Sequence, residues 1–121
     1  ADWLWLSRMT GEPNAVISLD QELYTDFDEL ARARVTADDR IDRFVASLTP
    51  VRLAEFIAYR RLSGNRAEIV QPLSLALMQL FNHQTHHRGQ VSTLLMQCGI
   101  DPGVTDLPAM PADFASPAFG Q

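Results

Sequence analysis

Apolar residues recur along the chain in three different rhythms. Trp3-Leu4-Trp5-Leu6 opens a helical segment that Thr10-Gly11-Glu12-Pro13 stops, because glycine followed by proline ends a helix. Residues 11–20 read as a connecting loop. Leu23, Phe27, Leu30, Ala31, Ile41, Phe44, Val45 and Leu48 then fall at steps of three and four. That is the stripe of a helix with one buried face. Asp20 is the candidate cap, and the helix is expected to run to about Leu48. Acids crowd its beginning, at Asp20, Glu22, Asp26, Asp28 and Glu29. They suit the positive end of the helix dipole, and a solvated outer face explains them without any special role.

Thr49-Pro50 breaks this pattern. Phe56-Ile57-Ala58-Tyr59 and Ala67-Glu68-Ile69-Val70 flank Ser63-Gly64-Asn65, as two short strands around a turn would. From Pro72 a helical pattern continues without a breaker to Cys98, and Gly99 is its expected stop. Residues 101–121, with Pro102, Pro108, Pro111 and Pro117, read as a tail attached to a single domain covering 1–121. The pattern is therefore all-α, with one small hairpin before the last long helix.

Composition narrows the partners. The chain has 121 residues, 46% of them apolar, which suits one domain with a modest core. Ten basic residues, all Arg, face fifteen acids, for a net charge of −5. An acidic chain lacks the basic stripe that tracks phosphate backbones, so no nucleic-acid partner is expected. No apolar run reaches the roughly 20 residues that span a bilayer. The short opening run has no basic segment before it, so a signal peptide is not indicated and a cytoplasmic location is expected. The opening also reads as helix from its first residues, so the chain is expected to begin inside a helix whose upstream part is missing. The lone Cys98 cannot form an internal disulfide and reads as a small core residue.

All three histidines lie in one stretch, Asn82-His83-Gln84-Thr85-His86-His87-Arg88-Gly89-Gln90. With His83 at 0° on a helical wheel, Leu80 and Cys98 fall near about 60°, Val91 near about 80° and Leu94 near about 20°. His87 falls at about 40°, inside this apolar sector, and His86 at about 300°, outside it. His83 and His87 are thus expected to face inward on successive turns, and side chains at i and i+4 can meet on one ion. Imidazole suits divalent Zn, Ni, Fe and Cu. The plainer reading is a pair of core histidines with ordinary hydrogen bonds.

No Glu follows His83, so the zinc-protease pattern His-Glu-x-x-His is absent. A third ligand is not evident either. Cys98 lies about 16 Å along the helix from His87. Asp2, Glu12 and Asp106 have no motif behind them. Gly89 weakens a helix, and either admits a close neighbour or is tolerated. Arg88 reads as a salt-bridge or interface residue before a substrate-binding one.

The stretch Phe81-Asn82-His83-Gln84-Thr85-His86-His87-Arg88-Gly89-Gln90-Val91, followed by Leu94-Leu95 and Gly99, resembles the signature of the DinB family. The opening Ala1-Asp2-Trp3-Leu4-Trp5-Leu6-Ser7-Arg8 resembles the end of that family's second helix. Gly64 with its flanks resembles its hairpin, and Asp101-Pro102-Gly103-Val104-Thr105-Asp106-Leu107-Pro108 resembles its last loop. The resemblance implies an up-down-down-up four-helix bundle, here N-terminally incomplete, and a homodimer. It implies a divalent metal (Zn, Ni or Fe) on His83, His87 and a third His upstream of Ala1. Gln79 departs from relatives that carry a further His there. The activities implied are metal-dependent hydrolysis or transfer of a low-molecular-weight thiol. A non-catalytic stress-response bundle that binds metal or dimerises is the alternative.

Overall fold

In a computed structural model, residues 1–13 and 16–109 are described. The elements are α1 (Asp2–Thr10), α2 (Phe27–Ala46), α3 (Pro50–Ala54), β1 (Phe56–Arg60), β2 (Glu68–Pro72), α4 (Leu73–Gln97) and a 3-10 turn (Leu107–Ala109). The chain divides into two compact units, Ala1–His83 and Gln84–Gln121. The fold is mostly helical with one small antiparallel sheet, as the patterning predicts. Two of the four helices, α1 and α3, have only nine and five residues, so the described residues fall short of the complete four-helix bundle that the resemblance implies. Of the proline-rich tail, residues 110–121 lie outside those described.

The first unit holds the core. Leu6 and Met9 of α1, Ile41 of α2, Ile57 of β1, and Leu73, Ala76 and Leu80 of α4 pack together, all buried. Trp5, Phe44, Leu48, Tyr59 and Leu77 lean against them. The sequence order explains this cluster. Leu73, Ala76 and Leu80 repeat at helical steps, while Ile57 and Tyr59 alternate on one face of a strand. Gly11 ends α1 in the left-handed conformation (φ 77°), where a side chain would be strained, and its N–H bonds to the Ser7 carbonyl at 2.8 Å.

The long second helix starts later than the pattern suggests. Its cap is Asp26, whose carboxylate accepts the Glu29 N–H at 2.8 Å, and not Asp20. Asp20 instead hydrogen-bonds Ser18, which lowers its pKa below the ordinary carboxylate value. Local side-chain bonds of this kind compete with helix. The expected stripe is also only partly buried. Ile41 is covered, as is Ala37 outside the stripe, whereas Phe27 is 78% and Leu30 48% exposed. Replacing Asp26 with Ala should cost about 1 kcal/mol of unfolding free energy, with Asp20→Ala near neutral. Urea unfolding of the two variants checks the assignment of the cap.

Thr49-Pro50 ends one helix and starts another. The Thr49 hydroxyl accepts the Arg52 N–H at 3.1 Å, and Pro50 stands at the first helical position of α3. This short helix is absent from the sequence reading, where a Thr-Pro pair registers only as a break. The hairpin follows as expected, with Ile57 opposite Gln71 and Tyr59 opposite Ile69. Pro72 closes β2 and does not join the helix. The Leu73 N–H donates to the Glu55 carbonyl at 2.8 Å, tying the root of the hairpin to α4.

Arg8 fastens α1 to that hairpin. Its guanidinium lies 4.7 Å from the Trp5 ring centre and 4.2 Å from that of Tyr59. The two rings meet edge to face at 5.6 Å. Burial pulls the Arg8 pKa below its ordinary value, partly offset by the phenol of Tyr59. Arg34 of α2 joins α1 by pairing with Asp2, and it also pairs with Asp38. Partial burial opposes the Arg34 charge, but the two carboxylates outweigh it and raise its pKa. The side chain is 43% exposed, so solvent screening keeps its contribution to stability small.

Candidate metal centre

Helix α4 carries every histidine of the chain. Its buried residues are Leu73, Ala76 and Leu80, all in the first unit. His83 closes that unit and is half-buried. His86 and His87 begin the second unit and are both exposed. The inward face expected of His87 is therefore not a buried one among the described residues. The apolar sector does continue along the helix in sequence. Its later members, Val91 at 55% and Leu94 at 60%, are exposed. Cys98 is exposed too, contrary to its expected place in a core.

Side-chain contacts organise the second unit's histidines. Gln90 places its Oε1 2.8 Å from His87 Nδ1. The His86 ring stands edge-on to that of His87, with centres 5.2 Å apart and planes at 65°. His86 is therefore a neighbour of His87, although the wheel sends it off the apolar sector. The Gln90 contact is absent from the sequence reading. Its signal is the i,i+3 spacing from His87, which puts both side chains on one helix face. Gln90 is here a hydrogen-bonding partner of the His87 ring. A ring engaged at Nδ1 coordinates a metal through Nε2.

The neighbouring positions add less. Arg88 reaches Thr85 Oγ1 at 3.5 Å. A Cβ added at Gly89 would meet nothing within 4 Å among the described residues, so no close approach there accounts for the glycine. The donor set is incomplete for a tight catalytic centre. Zinc enzymes typically use three protein ligands and an open position. Among the described residues no group of three or more His, Cys, Asp or Glu side chains could hold an ion. His83 and His87 supply imidazole at ligand spacing, and Asp2, Glu12 and Asp106 are not gathered with them into such a group.

The arrangement defines a mostly helical protein whose long last helix carries paired histidines one turn apart. Residues 1–113 match the DinB family, and the chain belongs to that family. No curated protein and no solved structure matches it. Among the described residues no helix is long and apolar enough to cross a membrane.

Proposed function

We propose that this DinB-family chain binds a divalent transition metal, Zn, Ni or Fe, through His83 and His87. The observation that carries the reading is the i,i+4 pair on α4, with Gln90 engaging His87 Nδ1. Two histidines on successive turns fill two positions of an ion, and the hydrogen bond to Nδ1 fixes which nitrogen of His87 is the donor. The remaining positions fall to groups other than the described side chains. These include water, substrate and the further His that family resemblance implies. A divalent ion so held supplies Lewis acidity, which lowers the pKa of water for hydrolysis or of a low-molecular-weight thiol for transfer. In either chemistry both histidines are ligands and neither is a general base.

A non-catalytic metal-binding or dimerising bundle is the second reading. It is favoured by the exposure of His87 and by the want of a third gathered ligand among the described residues. One experiment separates the two. The chain is loaded in turn with Zn, Ni and Fe(II), desalted and analysed for metal, and then assayed on ester and thiol-transfer substrates with and without chelator. Retained metal with chelator-sensitive turnover supports the enzyme. Retained metal without turnover supports the bundle. A chain that retains none of the three metals ends the metal reading.

A further inference from the structure

The first unit contains a cavity that owes nothing to the histidines. It lies against α1 and α2, has a volume of about 320 Å³, and is lined by Trp3, Glu12, Pro13, Leu23, Tyr24 and Arg40 among others. This volume is at the lower end of the range for ligand pockets, about 300–1,000 Å³. Arg40 dominates its chemistry. The guanidinium lies over the Trp3 ring, 4.9 Å from its centre, and its Nη2 pairs with the Glu12 carboxylate. Both partners stay open to solvent, with 35% of the Arg40 and 53% of the Glu12 side chain exposed.

We propose that this cavity takes a small monocarboxylate with an apolar or aromatic body. Arg40 has five N–H donors in a rigid fork, more than the contact with Glu12 uses. The contact with the Trp3 ring and the pair with Glu12 already restrain the Arg40 side chain, so less freedom is lost when a carboxylate docks on it. A cationic ligand is disfavoured, because the two features that would attract one, the indole face and the Glu12 carboxylate, already hold Arg40. Pro13, Leu23 and the Tyr24 ring offer the apolar wall for the body. Leu23 explains itself here. It fits the periodic stripe in sequence, yet it precedes α2 and is 40% exposed at the cavity.

Three probes with one body and different heads test the site: phenylacetate, phenethyl alcohol and phenethylamine. Each is titrated into the full chain by calorimetry, and the Trp3 indole N–H is followed by NMR, assigned with a Trp3→Phe variant. Phenylacetate should saturate the site and bind about tenfold or more tightly than either other probe, since its contact is charge-assisted. Arg40→Gln should abolish the preference for acid over alcohol. Glu12→Gln should strengthen phenylacetate binding, because it removes a competing carboxylate and its repulsion. Circular dichroism of each variant should match the parent. Equal binding of acid and alcohol, preference for the amine, no saturable binding of any probe, or weaker acid binding by Glu12→Gln would each overturn the proposal.

Discussion

Leu80→Ala should lower the unfolding free energy by about 2–5 kcal/mol, the range expected for truncating a fully buried leucine. Leu80 is fully buried and packs in the cluster that unites α1, α2, β1 and α4. Its removal forfeits the transfer energy of the lost carbons and leaves a cavity that α4 cannot close by shifting, because Leu73 and Ala76 are equally buried on the same face. Leu94→Ala makes the same chemical change four turns along the same helix, where the side chain is 60% exposed. It should cost no more than about 0.5 kcal/mol. Urea unfolding at constant slope compares the two variants. Equal midpoints would mean that the core does not end where the structure ends it.

His87→Ala should weaken metal binding by about 100-fold or more, while changing stability by no more than about 0.5 kcal/mol. The first figure follows because even partners that only orient a ligand are worth about 10–100-fold in affinity, and a direct ligand contributes more. The second follows from exposure, since the ring is outside the core cluster. His83→Ala should match it in affinity, and Gln90→Ala should fall within the 10–100-fold range through its contact with Nδ1. His86→Ala serves as the contrast, because its ring touches His87 without sharing the i,i+4 register. Competition titration with a chromophoric chelator measures all four. A His86 variant that loses more affinity than the His87 variant would move the site to a different pair.

Where a single local rule governs an element, the sequence already displays it. Gly11 and Gly99 both take positive φ at helix ends, 77° and 75°, as their positions after helical runs require. Alternation at Ile57 and Tyr59 marks a strand with one covered face, and the hairpin lies where it was expected. Rules that compete are harder to read. Asp20 and Asp26 are both competent caps by residue type, and in the structure Asp20 bonds to Ser18 while Asp26 begins α2. Periodicity names a helix face but not what covers it. The same stripe that buries Leu73, Ala76 and Leu80 runs on through exposed Val91, Leu94 and Cys98. The histidine motif was legible as chemistry, because imidazole spacing is a local property. The degree of burial of His87 was not, because burial depends on distant residues. The Arg40 cavity left no trace in the sequence at all, for its walls come from α1, a connecting loop and α2.

The turn between β1 and β2 exposes Arg61 and Arg66 on either side of Gly64, while the buried cluster draws Leu6, Met9, Ile41 and Ile57 from one side of that turn and Leu73, Ala76 and Leu80 from the other. A trypsin-like protease thus meets its preferred residue on an accessible loop tip, the usual place for nicking. Scission there should sever the polypeptide without dispersing the buried cluster. The two pieces should remain clasped by shared hydrocarbon and co-elute under native conditions, which would make the covalent link at this bend dispensable once folding is complete.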